Sequence, residues 1–127
     1  MFWGIKKGIR RRQSDILFSK LVRKERGHRC EYCGKIHEPN SMNLGLSHFW
    51  PRVNQSVRYD RRNVDVICNI PDHDYFENHR KEYEEWKEER MGTKAYNRLM
   101  FDAHQPGRWD KFIEKELCKQ FRDDLKI

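Results

Sequence analysis

Cys30 and Cys33, in HRCEYCGK and followed at once by Gly34, constrain this chain more than any other feature. A C-x2-C pair lets one tight turn present two thiolates to a tetrahedral ion, and the glycine relieves the backbone of that turn. The same spacing serves thioredoxin-like redox proteins, but no βαβ pattern surrounds it here. Two buried structural cysteines are the plainer alternative. Cys68, thirty-five residues after Cys33 and at the end of an expected strand, makes structural zinc the better reading. The second half of the site is irregular. Cys68 is followed by Asn-Ile-Pro-Asp-His, so Pro71 stands where a second C-x2-C would place its cysteine, and Asp72 and His73 are the nearest other ligands. Cys118, between Leu117 and Phe121 on an expected helix, reads as core packing. A chain of 127 residues builds a small core, for which a metal staple is a common remedy.

Charge is distributed unevenly. The chain has 27 Lys+Arg against 20 Asp+Glu, and its first thirty residues hold ten basic and two acidic side chains. Lys6, Lys7, Arg10, Arg11 and Arg12 form a basic arm over residues 1–13, and the 97 residues after position 30 sum to about −1. Such clustered charge attracts phosphate backbones and releases their counterions. A solvated arm, or attraction to an anionic membrane surface, are the alternatives. No stretch is apolar enough to span a membrane, and the opening residues carry no secretory or lipidation signal. The charged fraction is 37%, yet 13% aromatic residues supply apolar area that a disordered chain lacks.

Along the chain, SDILFSKLVRKERG reads as a helix with Ser14 as N-cap, an Ile16, Leu17, Leu21 and Val22 stripe, and Gly27 as its stop. LGLSHFW and RRNVDVIC read as two short strands joined by a polar connection. Pro71 opens an expected long charged helix that Gly92 ends. Thr93 caps a third helix through Ala103, the QPG turn at 105–107 breaks it, and Asp110 caps a last helix carrying Phe112, Ile113, Leu117, Phe121 and Leu125. Helix, strand pair, then helices gives an α+β class.

SDILFSKLVRKERGHRCEYCGK, SHFWPR, VRYDRRNVDVIC and HDYFENHRKEYEEW, in that order across residues 14–90, resemble the HNH endonuclease superfamily with its ββα-metal fold, and within it phage recombination nucleases of the NinG/Rap type. The resemblance implies a zinc-stapled ββα core over 14–92, a basic N-terminal helix, and a helical extension over 93–127. It implies that His48 is the general base, that Asn63 holds the loop and orients the base, and that His73 ligates a catalytic Mg²⁺ or Mn²⁺. Zinc would be separate and structural, on Cys30, Cys33, Cys68 and, once His73 is assigned elsewhere, Asp72. Ser47 is a departure, because many members place Asp or His there as a second metal ligand. The implied partner is DNA, possibly branched or single-stranded, in a cytoplasmic setting, that of the host cell if the chain is phage-encoded.

The residue types suit this chemistry on their own terms. An imidazole is a good base for water near neutrality, and a divalent ion offsets charge developing on phosphate. Glu77, four residues after His73 on an expected helix, is a further candidate ligand, with a solvated glutamate as the alternative. Phe49 and Trp50 read as core packing. His79 is expected at the surface, and His28, His37 and His104 carry no supporting pattern. Arg52, Arg58, Arg61 and Arg62 surround the strand connection and are candidates for pairing with phosphate, with simple solvation as the alternative. The expected activity is metal-dependent hydrolysis of DNA phosphodiesters. The rivals are a catalytically silent nucleic-acid-binding module with the same fold, favoured by Ser47 and Pro71, and a phage assembly protein that docks through helices 93–125.

Overall fold

The computed structural model describes residues 10–127; Lys6 and Lys7 of the basic arm lie outside the described residues. Five helices and one two-stranded antiparallel sheet make up the described residues, an α+β arrangement.

Helix α1 spans Gln13–Glu25 and buries Leu17, Phe18, Leu21 and Val22, which recur at helical spacing on one face. Arg12, not Ser14, is its N-cap, and Asp15 reaches back to accept the Arg12 backbone N–H at 2.6 Å. Ser14 lies inside the helix because its hydroxyl has other work: it donates to Glu114 at 2.6 Å and shares a hydrogen bond with the Tyr59 hydroxyl. Gly27, at φ +69°, turns the chain out of the helix in the left-handed region that a glycine enters without strain.

Strands β1 (Leu44–His48) and β2 (Val64–Cys68) pair with Leu44 opposite Cys68 and His48 opposite Val64. All five β2 residues are buried, so the hairpin is covered on both faces. Ser47 and Asp65, opposite each other, meet α3 (Arg80–Met91) in a buried polar cluster. There the Tyr83 hydroxyl hydrogen-bonds Asp65 at 2.7 Å and Ser47 at 3.0 Å, and Lys87 donates to Asp65 at 2.9 Å. Burial and the Asp65 carboxylate together push the Tyr83 phenol well up.

The long helix expected from Pro71 to Gly92 is divided. A wide turn covers Asn69–His73, helix α2 runs Asp74–Asn78, and the chain breaks at His79 (φ −135°, ψ 64°) before α3. His79 Nδ1 donates to the Tyr75 carbonyl at 2.8 Å and its ring stacks on Tyr75 at 4.0 Å. The side chain therefore occupies the acceptor that a continuous helix would offer to the His79 backbone N–H.

Helices α4 (Thr93–Ala103) and α5 (Lys111–Leu125) are not a separate layer. Phe121 packs on Phe18 of α1 with ring centroids 5.3 Å apart, and Cys118 is buried as expected. The Asp102 carbonyl at the end of α4 accepts from Ser56 Oγ at 2.7 Å, which pins the strand connection. Gly107 lies so close to that connection that a Cβ there would sit 2.4 Å from the Ser56 backbone nitrogen. Asp110 caps α5, accepting the Ile113 N–H at 2.8 Å.

Candidate functional site

The hairpin carries a different cluster at each end. At the Leu44–Cys68 end, Gly34 (φ +82°) turns the chain sharply after Cys33, its N–H donates to the Cys30 carbonyl at 2.9 Å, and an Arg29–Ile36 bridge closes the knuckle. Cys68 arrives as the last residue of β2, and Asp72 comes from the wide turn after it. The four ligand atoms of Cys30, Cys33, Cys68 and Asp72 lie within 4.8 Å of one another.

A tetrahedral zinc with arms of about 2.3 Å to sulfur and 2.0 Å to carboxylate oxygen requires edges of about 3.8 Å between sulfurs and about 3.5 Å from sulfur to oxygen. Cys33 Sγ and Cys68 Sγ stand 3.7 Å apart, and Cys30 Sγ stands 3.2 Å from Asp72 Oδ2. The cluster could therefore hold a metal ion such as zinc, with Asp72 as the fourth donor. Burial, with Cys33 and Cys30 alongside, pushes the Cys68 thiol up to about 12. A coordinated cation reverses that preference and holds the sulfur as thiolate.

At the other end, His48 is the last residue of β1 and lines a cleft of about 680 Å³ beside the N-terminal half of the chain. His73, the neighbour of Asp72, lines the same cleft, so adjacent residues serve two different sites. His48 Nε2 is 3.0 Å from the Arg58 carbonyl. A carbonyl can only accept, so Nε2 carries the proton and Nδ1 keeps the lone pair. Burial lowers the imidazole to about 4, which keeps it neutral at physiological pH.

Asn63, fully buried, sets the loop that supports this arrangement. Its Oδ1 accepts the Trp50 N–H at 2.8 Å, and its Nδ2 donates to the Trp50 carbonyl at 2.8 Å and to the Val57 carbonyl at 3.3 Å. One side chain ties both ends and the middle of the strand connection.

The arginines divide into two groups. Arg58 is buried, pairs with Asp15 through Nε (3.0 Å) and Nη2 (2.6 Å), and also donates to the Arg10 carbonyl at 2.9 Å. Arg61 forms a two-bond pair with Glu25 at 2.8 Å each, and Arg62 binds Asp60 and, at 3.0 Å, Asp102. Arg12 donates to Gln55 at 2.9 Å and stacks on the Trp109 ring at 4.0 Å. Arg58, Arg61 and Arg62, expected to face phosphate, are thus committed to carboxylates of the fold, because the loop brings Asp15, Glu25 and Asp60 into their reach.

Arg11, Arg23 and Arg52 line the cleft. Burial lowers the Arg23 guanidinium, and the neighbouring positive charge of Arg11 adds to the shift. Asp15 is the one carboxylate on that wall, and it pairs with Arg58 at 2.6 Å and more loosely with Arg52 at 3.7 Å. Burial opposes the ionisation of Asp15, but the Arg58 and Arg12 hydrogen bonds outweigh it and hold the carboxyl below its ordinary range.

Two expected participants are placed elsewhere. Glu77 is exposed and is not among the residues lining the cleft, because α2 is a short helix after the wide turn rather than the start of a long one. Ser47 points into the Tyr83 and Asp65 cluster, so that position offers nothing to an ion beside His48. Sequence reasoning missed two residues. Arg23 was hidden in a run of basic residues whose only distinguishing signal is a helical phase shared with Ser19 and Asp15. His37 was set aside for lack of pattern, yet its Nε2 is 3.1 Å from Cys68 Sγ. No protein-family model, curated protein or solved structure matches the chain.

Proposed function

We propose that this chain is a divalent-metal-dependent endonuclease of the HNH kind, hydrolysing DNA phosphodiester bonds in phage recombination or processing, with structural zinc on Cys30, Cys33, Cys68 and Asp72. The observation that carries the reading is His48: a neutral imidazole whose Nε2–H is fixed on the Arg58 carbonyl and whose Nδ1 lone pair is free, in a cleft shared with His73 and three arginines. A base for water needs that protonation state and a fixed ring. Arg11 and Arg23 supply cationic donors suited to phosphate oxygens, while Arg52 stands 3.7 Å from Asp15, the one carboxylate of the cleft wall, which is itself held by Arg58. Asn63 acts on the loop and positions the base without touching substrate.

A divalent ion, Mg²⁺ or Mn²⁺, supplies charge stabilisation at the phosphate and the departing oxygen when bound. Among the described cleft residues His73 fits such an ion, whereas Glu77 is not on the wall. A donor set this thin leaves the ion's other positions to phosphate and water, and favours Mn²⁺ over Mg²⁺ because an imidazole is a softer donor than a carboxylate. The same thin set supports a second reading, a zinc-stabilised module that binds nucleic acid without cutting it.

Incubating the chain with plasmid, branched and single-stranded DNA separates the two. Cleavage with Mn²⁺ that chelator abolishes is expected. Binding to all three substrates without cleavage under any divalent ion identifies the silent module.

A further inference from the structure

His37 stands outside the four-ligand cluster but touches it. Its Nε2 is 3.1 Å from Cys68 Sγ, and its Nδ1 is 3.4 Å from Ser41 Oγ. Hydrogen-bond direction along this chain follows from its metal end. Ser41 Oγ accepts the Asn43 backbone N–H at 3.2 Å and keeps its own proton to donate. A zinc-bound Cys68 thiolate can only accept, so Nε2 carries the proton and donates to Cys68, and Nδ1 is left to accept from the Ser41 hydroxyl. The backbone fixes the ring's origin, because the His37 N–H donates to the His28 carbonyl at 2.8 Å beside the Arg29–Ile36 bridge.

Three thiolates and a carboxylate around a zinc ion leave the centre with a net charge of about −2. A half-buried site with that charge is stabilised by N–H donors to its sulfurs. Two backbone donors, Cys33 N–H and Cys68 N–H, both point at Cys30 Sγ at 3.4 Å. His37 is the side-chain donor that serves Cys68.

We propose that His37 is a positioning residue of the metal centre: its Nε2–H donates to the Cys68 thiolate, disperses the excess negative charge and thereby sets the zinc affinity of the Cys3Asp cluster, with Ser41 holding the tautomer. This rests on reading the cluster as a zinc centre and is independent of whether the chain cuts DNA.

The test uses the full chain, Zn²⁺ in competition with a chromophoric chelator, and Co²⁺ as a spectroscopic probe. His37→Ala is expected to weaken zinc binding about 10- to 100-fold, the usual range for losing a partner of a metal ligand. His37→Gln, whose amide can place an N–H near the same point, is expected to recover most of that loss. Ser41→Ala should cost only a few-fold. All three variants should keep the wild-type Co²⁺ thiolate bands and d–d envelope, since the ligands themselves are unchanged. Wild-type affinity in His37→Ala overturns the proposal, and so does a loss that Gln fails to rescue. A shifted d–d envelope in either His37 variant would show the imidazole to be a ligand itself. A wild-type chain that takes up neither ion removes the zinc reading instead, and cleavage assays play no part in any of these outcomes.

Discussion

The two ends of the hairpin are about four residues apart along each strand, yet they are built on opposite principles. The cysteine end gathers its groups from short local segments, the knuckle at 30–36 and the turn at 68–72, and places donors around one point. The histidine cleft gathers its groups from far apart, running along β1 from the turn at His73 to His48 with α1 and the strand connection as further walls. The first end resembles a closed staple, in which every donor faces every other. The second is open, with Arg11, Arg23 and Arg52 on its wall and an imidazole whose Nδ1 has no hydrogen-bond partner among the described residues. A staple contributes to the folded state in all conditions, whereas an open cationic wall is worth keeping only for what enters it.

That contrast is broken most severely at the staple. Cys68→Ser is expected to abolish zinc uptake and leave the chain unfolded or aggregated, since site formation carries about 10 to 16 kcal/mol of apparent binding energy in small zinc domains. Metal content per chain with far-ultraviolet circular dichroism reads this directly, and a native spectrum without zinc would show that the cluster is not a staple. At the open end, His48→Ala should keep the fold and DNA binding while lowering cleavage by about 10² to 10⁴ in rate, followed by plasmid nicking.

The pH dependence of His48 gives the same prediction a second handle. The imidazole titrates near 4 in the folded chain against an ordinary 6.5, so between those values the unfolded chain takes up a proton that the native chain refuses. Stability contributed by the neutral ring is therefore full above about 6.5 and is lost as pH falls toward 4. Thermal melts of the wild type should show that decline, and those of His48→Ala should lack it.

Arg58→Ala strips the buried Asp15 carboxylate of its closer partner, leaving Arg52 at 3.7 Å. A loss of about 3 to 5 kcal/mol in urea unfolding is expected, against about 0 to 1 kcal/mol for the exposed Arg61→Ala. Equal effects would mean that Asp15 finds another partner. The smallest effect belongs to Arg23→Ala: an unchanged fold, and a slope of log affinity against log salt that flattens by about 0.9 if one phosphate contact is lost. An unaltered slope would remove Arg23 from the DNA-facing wall.

How much of this was legible in the sequence follows the same division. Cysteine spacing is a local signal, and it led to Cys30, Cys33 and Cys68; Asp72 followed only because His73 had been assigned to the other site. Strands and terminal helices were also legible, since alternation, helical spacing and the Asp110 cap act over a few residues. The helix break at His79 was not, because it depends on a side-chain bond and a ring stack that composition does not encode. The arginines were the poorest case. Arg52, Arg58, Arg61 and Arg62 look the same in sequence, and what separates them is which carboxylate folding brings alongside and how closely. His37 was invisible for a related reason: it reaches Cys68 across 31 residues of chain, through a loop with no periodicity.

The Ser14–Glu114 hydrogen bonds join residues 100 apart in sequence, and Phe18 meets Phe121 on the same seam. Helix α1, which carries Asp15 and Arg23 of the cleft, is synthesised about 100 residues ahead of its partner on α5. At about 5 to 20 residues per second, the interval between them is on the order of 5 to 20 s. Throughout that interval α1 lacks the surface that seats it, and the cleft wall is unfinished. The order of synthesis therefore works as a timer: the cleft wall is seated only once α5 has been made, and a chain truncated before α5 carries the cysteine cluster without the surface that seats α1.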